Sequence, residues 1–528
     1  MRKRISDNFI NLFLPCIGFS VAAGAFSAVV ITAFKICAEA LILLSSIIYN
    51  AVRVTPIWLP VLLLGAAALG FATSFLYSLS HSCRGGGIPS SVAAIRGILT
   101  FRWLACIIIL PFSAFLSFLC GMPLGTEGPC VQLGTAVGDG VVKCLASDKN
   151  KGWRRYIMTG GASAGFSIAA SSPITAIIFA MEELHKQFSP LVMMVTSISV
   201  MTAQFTVQLL SSFGIGSLGL FHLPQISALD PKLLFVPLII GIFCGIGSLL
   251  FSHLYKHINE FTHFLLKKIP VKFLFPLLFA CVSLIGFFIS SLLGTGHSLI
   301  EQLFSTQMLW YVLIFVFLIR AIVMMVSNTA GVTGGVFLPT LSFGAIIGSL
   351  CGQTMISLGW IDSEHYILMV MLGIVAFLGS TSHIPITACV FAIEALGGFS
   401  NVLSVIIAVT VSFLVTEIFE GEDFTHTVIE SKIRSIKKGK TPMTVDVPLT
   451  VSKDAFVIGK QLRDILWPNA CFVVSIERSS KHHGHHEILE GDIITVHYKT
   501  YNPTATAEEL TVLMGKQSDE VEKIMNPI

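Results

Sequence analysis

One carboxylate, Glu127, stands in a break rich in glycine and proline (residues 121–129) between two long apolar runs. Lipid gives an ion no solvation, so an ionisable side chain at membrane depth usually faces a path lined by protein or water. A helix that restarts inside the bilayer presents amide N–H groups without partners, and these groups hold small anions. The break therefore predicts an anion site beside Glu127, whose carboxylate competes with the anion. The structural alternative is a carboxylate that only stabilises a helix start.

Two further breaks have a similar composition. They read RGGGIP at residues 84–89 and GGVFLP at residues 334–339. Each of the three breaks is able to open a helix toward a common point. The alternative is that the glycines serve close helix packing, since pairs such as Gly134 and Gly138 fit the small-residue contact pattern. Packing does not account for the carboxylate in one of the breaks.

The elements that must position these breaks are membrane helices. Of the 528 residues, 54% are hydrophobic and 12% are charged, and the mean hydropathy is +0.82. A soluble globular chain is far more polar. Apolar segments long enough to span a bilayer recur from Phe9 to Phe419, so the sequence predicts an all-α polytopic membrane protein. Basic residues at positions 2–4 and in the loop 148–155 place both segments in the cytoplasm.

Several function classes lack support in the sequence. It contains no Walker loop, no dinucleotide fingerprint between a strand and a helix, and no His-Glu-x-x-His helix. Neither a nucleophile with a base nor a metal cluster stands at membrane depth. We therefore expect no enzyme activity and no cofactor, with ion gradients as the energy source. The net charge of +3 gives no reason to expect a nucleic acid partner.

The membrane region contains an internal repeat. The glycine and proline pattern of the second break recurs 210 positions later in the third, and the PITA segment at residues 173–176 recurs 212 positions later. Repeated halves with helix breaks at corresponding places indicate a transport site between the halves. Glu182 recurs as Glu394, whereas Glu183 corresponds to Ala395. We therefore expect Glu182 to be structural and Glu183 to be specialised.

In this order, and with the acidic pair at 182–183 after the second, the three breaks closely resemble those of the CLC family of chloride channels and chloride/proton antiporters. The resemblance implies an all-helical homodimer in which each subunit has broken helices and its own anion pathway. It also implies a transmembrane domain at residues 1–425 that consists of two inverted halves, at about 9–210 and 230–425.

The resemblance further implies roles for single residues. Glu127 matches the family's gating glutamate, whose carboxylate occupies the outer anion site when ionised and leaves it when protonated or displaced. Glu183 matches the residue that receives protons from the cytoplasmic side in the antiporters, although a glutamate near a helix end also forms solvated ion pairs. The positions that match the family's anion-binding groups are Gly86, Gly87, Ile88, Gly128, Val336, Phe337 and Phe424.

Two of these positions depart from the family's pattern. Gly86 stands where the family usually has a serine whose hydroxyl helps to coordinate the central anion. Phe424 aligns best with the tyrosine whose hydroxyl contacts the same anion. Loss of both hydroxyls should weaken anion binding at the central site. Weaker binding should in turn let some anions pass without proton exchange. The preferred monovalent anion stays open.

The composition changes after about residue 430. A basic linker (426–442) leads to a small α/β cytoplasmic domain (443–503) and a polar tail (504–528). The segment LEGDIITV at residues 489–496 resembles the TrkA-C (RCK_C) type of ligand-sensing domain on bacterial ion transport proteins. That resemblance implies a small ligand for the domain.

Within this domain, apolar patterns predict strands at residues 455–458, 471–476 and 492–496, and a helix at residues 459–467. Four histidines lie between residues 482 and 486, in a predicted hairpin between two of these strands. They allow a zinc or nickel site or a pH-responsive loop, but exposed loops of this kind more often bind metal adventitiously.

Together these features predict an antiporter of chloride or another monovalent anion with protons. We expect it in the inner (cytoplasmic) membrane of a bacterium, as a multi-pass protein with both termini in the cytoplasm. The alternative is a voltage-gated anion channel of the CLC type without proton coupling. A distant alternative is a component of cation transport, which the tail domain suggests.

Overall fold

The computed structural model describes residues 13–80, 83–85, 87–99, 102–215, 226–437, 443–453, 455–468, 471–478, 487–500 and 503–515. Helices dominate it. In the first half they are α1 (Leu14–Val54), α2 (Leu59–Leu79), α3 (Ile88–Ile95), α4 (Trp103–Leu119), α5 (Glu127–Leu145), α6 (Arg154–Ala170), α7 (Pro173–Phe179) and α8 (Pro190–Ser212). A π-helical turn, Ala180–His185, continues α7.

The second half repeats this arrangement of long, short and broken helices. Its helices are α9 (Phe235–Lys268), α10 (Val271–Phe288), α11 (His297–Ser305), α12 (Trp310–Ala330), α13 (Phe337–Ser357), α14 (Tyr366–Thr381), α15 (Pro385–Ala395), α16 (Val402–Ile418) and α17 (Phe424–Lys437). Helix α17 occupies most of the range that we expected as a linker, and residues 438–442 lie outside the described part of the chain.

Within the described ranges, nine helical segments are long and apolar enough to cross a membrane. Large apolar side chains such as Phe71 and Phe205 are exposed on their outer surfaces, as expected for helices that face lipid. Helix α5 lies in the interior, because every residue from its start to Val142 is buried. The prediction of an all-α polytopic membrane fold is confirmed.

The two halves meet through reciprocal contacts between equivalent residues. Gly125 and Gly335 form an antiparallel bridge in which each amide donates to the other's carbonyl oxygen at 2.6 Å. The Glu182 carboxylate accepts from the Thr387 amide at 2.6 Å, and the Glu394 carboxylate accepts from the Thr175 amide at 2.8 Å. Mutual contacts of this kind are those of a local two-fold axis that relates the two halves, as the sequence repeat predicts.

Glycines also allow helices to pack closely within each half. A Cβ on Gly134 in α5 would collide with the carbonyl oxygen of Gly161 in α6. In the second half, a Cβ on Gly344 in α13 would collide with the carbonyl oxygen of Gly373 in α14. The packing interpretation therefore holds for these glycines, which lie well inside their helices.

After the membrane region the chain forms a small domain around a three-stranded antiparallel sheet. Its strands are β1 (Met443–Thr450), β2 (Cys471–Glu477) and β3 (Ile493–Thr500), in the order β1-β3-β2. The last helix, α18 (Pro503–Met514), buries Ala507, Leu510 and Met514 in the same hydrophobic core. This core therefore extends beyond residue 503. The histidine loop between residues 482 and 486 lies outside the described residues.

Two predicted elements of this domain were wrong. Residues 456–459 form turns instead of a strand, and Gly459 has a left-handed backbone (φ 75°) that ends the apolar run. The expected helix after it is reduced to a single 3-10 turn, Leu462–Asp464. Phe456 and Val457 are buried because they pack in a core shared with the membrane domain, so their apolar pattern does not reflect a strand.

That shared core joins the small domain to the start of α6. The Phe456 ring meets the edge of Trp153, with ring centroids 5.4 Å apart. The Tyr156 hydroxyl accepts a hydrogen bond from the Leu466 amide at 3.0 Å. Arg155 forms an ion pair with Glu509 of α18. These contacts fix the domain against the membrane region.

Candidate functional site

The three glycine-rich breaks meet at one point in the interior. A Cβ on Gly128 would lie 2.6 Å from the Gly335 Cα and 3.1 Å from the Gly87 Cα. A Cβ on Gly87 would lie 3.7 Å from the carbonyl oxygen of Gly334. Only residues without side chains allow three backbones to approach this closely.

Helices α3, α5 and α13 all begin at this point. The first amide groups of a helix lack partners within the helix and carry partial positive charge. Each of the three helices also has a proline in its first turn (Pro89, Pro129 and Pro339), where the missing N–H costs nothing. Convergent helix starts thus produce a buried region of positive potential that suits a small anion.

Glu127 is the first residue of α5 and is fully buried. Its Oε1 lies 3.5 Å from the Thr126 hydroxyl, and its Oε2 has no hydrogen-bond partner within the protein. Oε2 lies in the space that a side chain on Gly125 would fill, next to Leu338 and Pro339. The carboxylate therefore lies at the meeting point of α5 and α13.

The other predicted anion-site residues take different positions around this point. Ile88 and Val336 stand at the starts of α3 and α13 and are buried. The Phe337 ring is buried edge-on against Phe166, with centroids 5.1 Å apart. Gly86 lies outside the described residues.

Phe424 begins α17 and is 3% exposed. Its ring packs against Tyr255 and Phe251, with centroids 4.7 and 5.8 Å away. The Tyr255 hydroxyl donates to the Asn328 side chain at 3.0 Å. Phe424 thus belongs to an aromatic cluster, and the nearby Tyr255 hydroxyl is already hydrogen-bonded to Asn328.

Glu183 lies on the π-helical turn Ala180–His185 and is 2% exposed. Its Oε2 has no hydrogen-bond partner within the protein. The neighbouring Glu182 differs, because its carboxylate accepts from the Ile386 amide, the Thr387 amide and the Thr387 hydroxyl at 2.6–3.0 Å. Of the acidic pair, Glu182 is therefore the residue whose carboxylate stabilises the contact between the two halves.

Three residues of the site escaped the sequence analysis. The side-chain oxygen of Gln132 accepts a hydrogen bond from the Gly87 amide at 2.7 Å and so fixes the break before α3. Thr425, buried at the start of α17, donates its amide to the Asp423 carboxylate at 2.9 Å. Arg96 donates to the main chain of the turn that carries Glu183. None had a sequence signal, because an isolated glutamine, threonine or arginine has no characteristic spacing.

A family model described as voltage gated chloride channel matches residues 65–417. The H(+)/Cl(−) exchange transporter ClcA of Vibrio cholerae is 25% identical over 396 residues, which cover 72% of this chain and 81% of that protein. The protein of the same name from Vibrio vulnificus is 26% identical over 395 residues, which cover 72% and 82%.

Solved structures share the fold. A slow cyanobacterial Cl−/H+ antiporter superposes with a TM-score of 0.71 at 21% identity, over 80% of this chain and 98% of that chain. A CLC-type fluoride/proton antiporter gives a TM-score of 0.63 at 20% identity, over 76% and 95%. The family match covers most of both halves and all of α5 and α13, and this chain therefore belongs to the voltage gated chloride channel (CLC) family.

Proposed function

We propose that this protein exchanges chloride or another monovalent anion for protons across a membrane. One observation carries the proposal. Among the described residues, the carboxylate oxygens that are buried without a hydrogen-bond partner are Oε2 of Glu127 and Oε2 of Glu183. A buried carboxylate with one oxygen left unpaired is costly when ionised, so it favours taking up a proton or facing a mobile ion.

Glu127 is the proposed gate. Its carboxylate and a bound anion compete for the same positive region at the starts of α5 and α13. Two negative charges a few ångströms apart repel strongly in a medium of low dielectric constant. Arrival of an anion therefore favours protonation of Glu127 or its displacement, and departure of the anion favours return of the ionised carboxylate.

Glu183 is the proposed proton acceptor on the other side of the anion site. It lies close to an ion pair between Lys186 and Asp423, in which the Asp423 carboxylate is buried and the Lys186 side chain is 43% exposed. This polar edge offers protons a route from water to the buried carboxylate. The relatives named as H(+)/Cl(−) exchange transporters support exchange rather than channel conduction.

Orientation and location belong to the same proposal. The domain with β1–β3 docks beside the basic loop at residues 148–155, which by the positive-inside tendency is cytoplasmic. We therefore propose that both termini are cytoplasmic and that the protein lies in a bacterial inner membrane.

Two finer assignments concern assembly and the small domain. We propose a homodimer with one anion pathway in each subunit, supported by membership of the CLC family. We also propose that the domain is of the TrkA-C type and binds a small ligand. The family match ends at residue 417, so this second assignment depends on the segment at residues 489–496 alone.

The test is reconstitution of the purified protein in liposomes with an outward chloride gradient and a clamped membrane potential. We expect chloride efflux to drive protons inward against their own gradient, as recorded with a pH electrode. Chloride flux without proton movement would identify an uncoupled channel. Flux that depends on cations and ignores chloride would revive the cation-transport alternative.

A further inference from the structure

The C-terminal end of α3 is linked to the turn that carries Glu183. Helix α3 starts at the anion site, after Gly87, and is eight residues long, or about 12 Å. Arg96 follows its last residue, Ile95. The anion site and Arg96 thus lie at opposite ends of one short, buried helix.

Arg96 binds the turn Ala180–His185 through its main chain. Its Nε donates to the Leu184 carbonyl oxygen at 2.9 Å, and its Nη2 donates to the Glu183 carbonyl oxygen at 3.1 Å. These carbonyls come at the end of a helical segment, which Lys186 closes in a left-handed conformation (φ 52°). Free carbonyls at such an end are partners for a guanidinium, whose planar fork reaches two acceptors at once.

Two cationic side chains, Lys186 and Arg96, act electrostatically on the Glu183 carboxylate. Lys186, the nearest lysine in sequence, is paired with Asp423. Arg96 interacts electrostatically with both the Glu183 and the Asp423 carboxylates. It is therefore a positive charge that acts on Glu183 while it is fixed to the backbone of the same residue.

We propose that Arg96 positions Glu183 for proton transfer and connects that carboxylate to the helix that opens at the anion site. The inference rests on the proposed exchange function and adds to it a residue outside the three glycine-rich breaks and the acidic pair. Arg96 contacts neither the anion nor the proton. It holds the proton-accepting side chain through its main chain and supplies a fixed charge beside it.

The test compares Arg96→Gln, Arg96→Lys and a control, Arg102→Gln, which removes a surface arginine just before α4. Each variant is reconstituted, and chloride and proton fluxes are recorded in the same liposomes. Loss of two charge-assisted hydrogen bonds should reduce proton flux about tenfold in Arg96→Gln, while chloride flux changes less than about twofold. Arg96→Lys keeps the charge but reaches one carbonyl, so we expect intermediate proton flux. The control should match the wild type.

A double variant separates a positioning role from general loosening. In a Glu183→Gln background, Arg96→Gln should produce no further change in either flux, because the group that it positions is gone. The inference is overturned if Arg96→Gln leaves proton flux intact, or if both fluxes fall together. Absence of proton flux in the wild type would instead refute the exchange function itself. Where the glutamine variant does not fold, Arg96→Lys decides, since unchanged coupling in it also overturns the inference.

Discussion

Gly125 and Gly335, 210 positions apart in the sequence, donate their amides to each other's carbonyl oxygens at 2.6 Å. Each residue comes just before a helix start, so this pair of bonds sets how far α5 and α13 stand from each other. The Glu127 carboxylate lies in the space between them. A symmetric backbone contact thus fixes the geometry of an asymmetric site, because the corresponding residue in the second half is Phe337.

Glu127→Gln should uncouple the two fluxes. Glutamine has the size of the protonated glutamate but takes up no proton, so we expect chloride flux to persist and proton flux to fall to background. Simultaneous recording with chloride and pH electrodes on liposomes checks this. Glu364→Gln is the control, since that side chain is 64% exposed. Proton flux that survives in Glu127→Gln would mean that another group couples the ions.

The acidic pair should divide into two phenotypes. Glu183→Gln should suppress proton flux and leave thermal stability unchanged, because its Oε2 bonds to nothing in the protein. Glu182→Gln should lower the free energy of unfolding by about 1–3 kcal/mol, because a glutamine NH2 would face amide donors. Proton flux per folded molecule should survive in that variant. Both variants are measured by thermal unfolding in detergent and by proton and chloride flux in liposomes. Equal changes in stability and in proton flux for the two variants would contradict this division.

Gly128→Ala should force the breaks apart. Its new Cβ would lie 2.6 Å from the Gly335 Cα, where no flexible side chain is able to move aside. We expect a loss of about 1–3 kcal/mol in stability together with reduced anion flux. Gly18→Ala is the matched control, since its Cβ meets nothing within 4 Å inside α1. That variant should be neutral or slightly more stable, so similar losses in both would refute the close approach.

Lys460 should make the stability of the small domain depend on pH. Burial lowers its pKa to about 7, whereas a lysine in an unfolded chain titrates near 10.4. The unfolded state therefore binds more protons between these values, and stability should rise with pH by up to about 1.4 kcal/mol per unit.

Lys460→Met removes this dependence. We therefore expect the variant to be more stable than the wild type near pH 7, and this difference in stability should shrink as the pH rises to about 9. Thermal unfolding across that range checks the prediction. Lys499→Met, at an exposed position on β3, is the control. An advantage of Lys460→Met that is constant or grows with pH would exclude titration of Lys460 as the cause.

Much of the site was predictable because glycine and proline fix where helices end. Their positions marked the three breaks, and the buried carboxylate of Glu127 marked one break as more than packing. The repeat also predicted that Glu182 is structural, since it has a counterpart in Glu394 and the two carboxylates make reciprocal contacts between the halves. Composition alone was enough for the membrane fold.

The sequence by itself determined the membrane class, the helix breaks and the two functional carboxylate candidates, because these depend on residue type and local spacing. The tertiary structure decided what depends on distant contacts. It brought the Arg96 guanidinium to the main-chain carbonyl of Glu183, 87 positions away, and it placed the Gln132 side chain where it accepts a hydrogen bond from the Gly87 amide. It also buried Phe456 against Trp153. The apolar run around Phe456 therefore predicted a strand where the chain forms a turn. Apolar patterns report that a residue is buried, but only the folded chain defines which surface buries it.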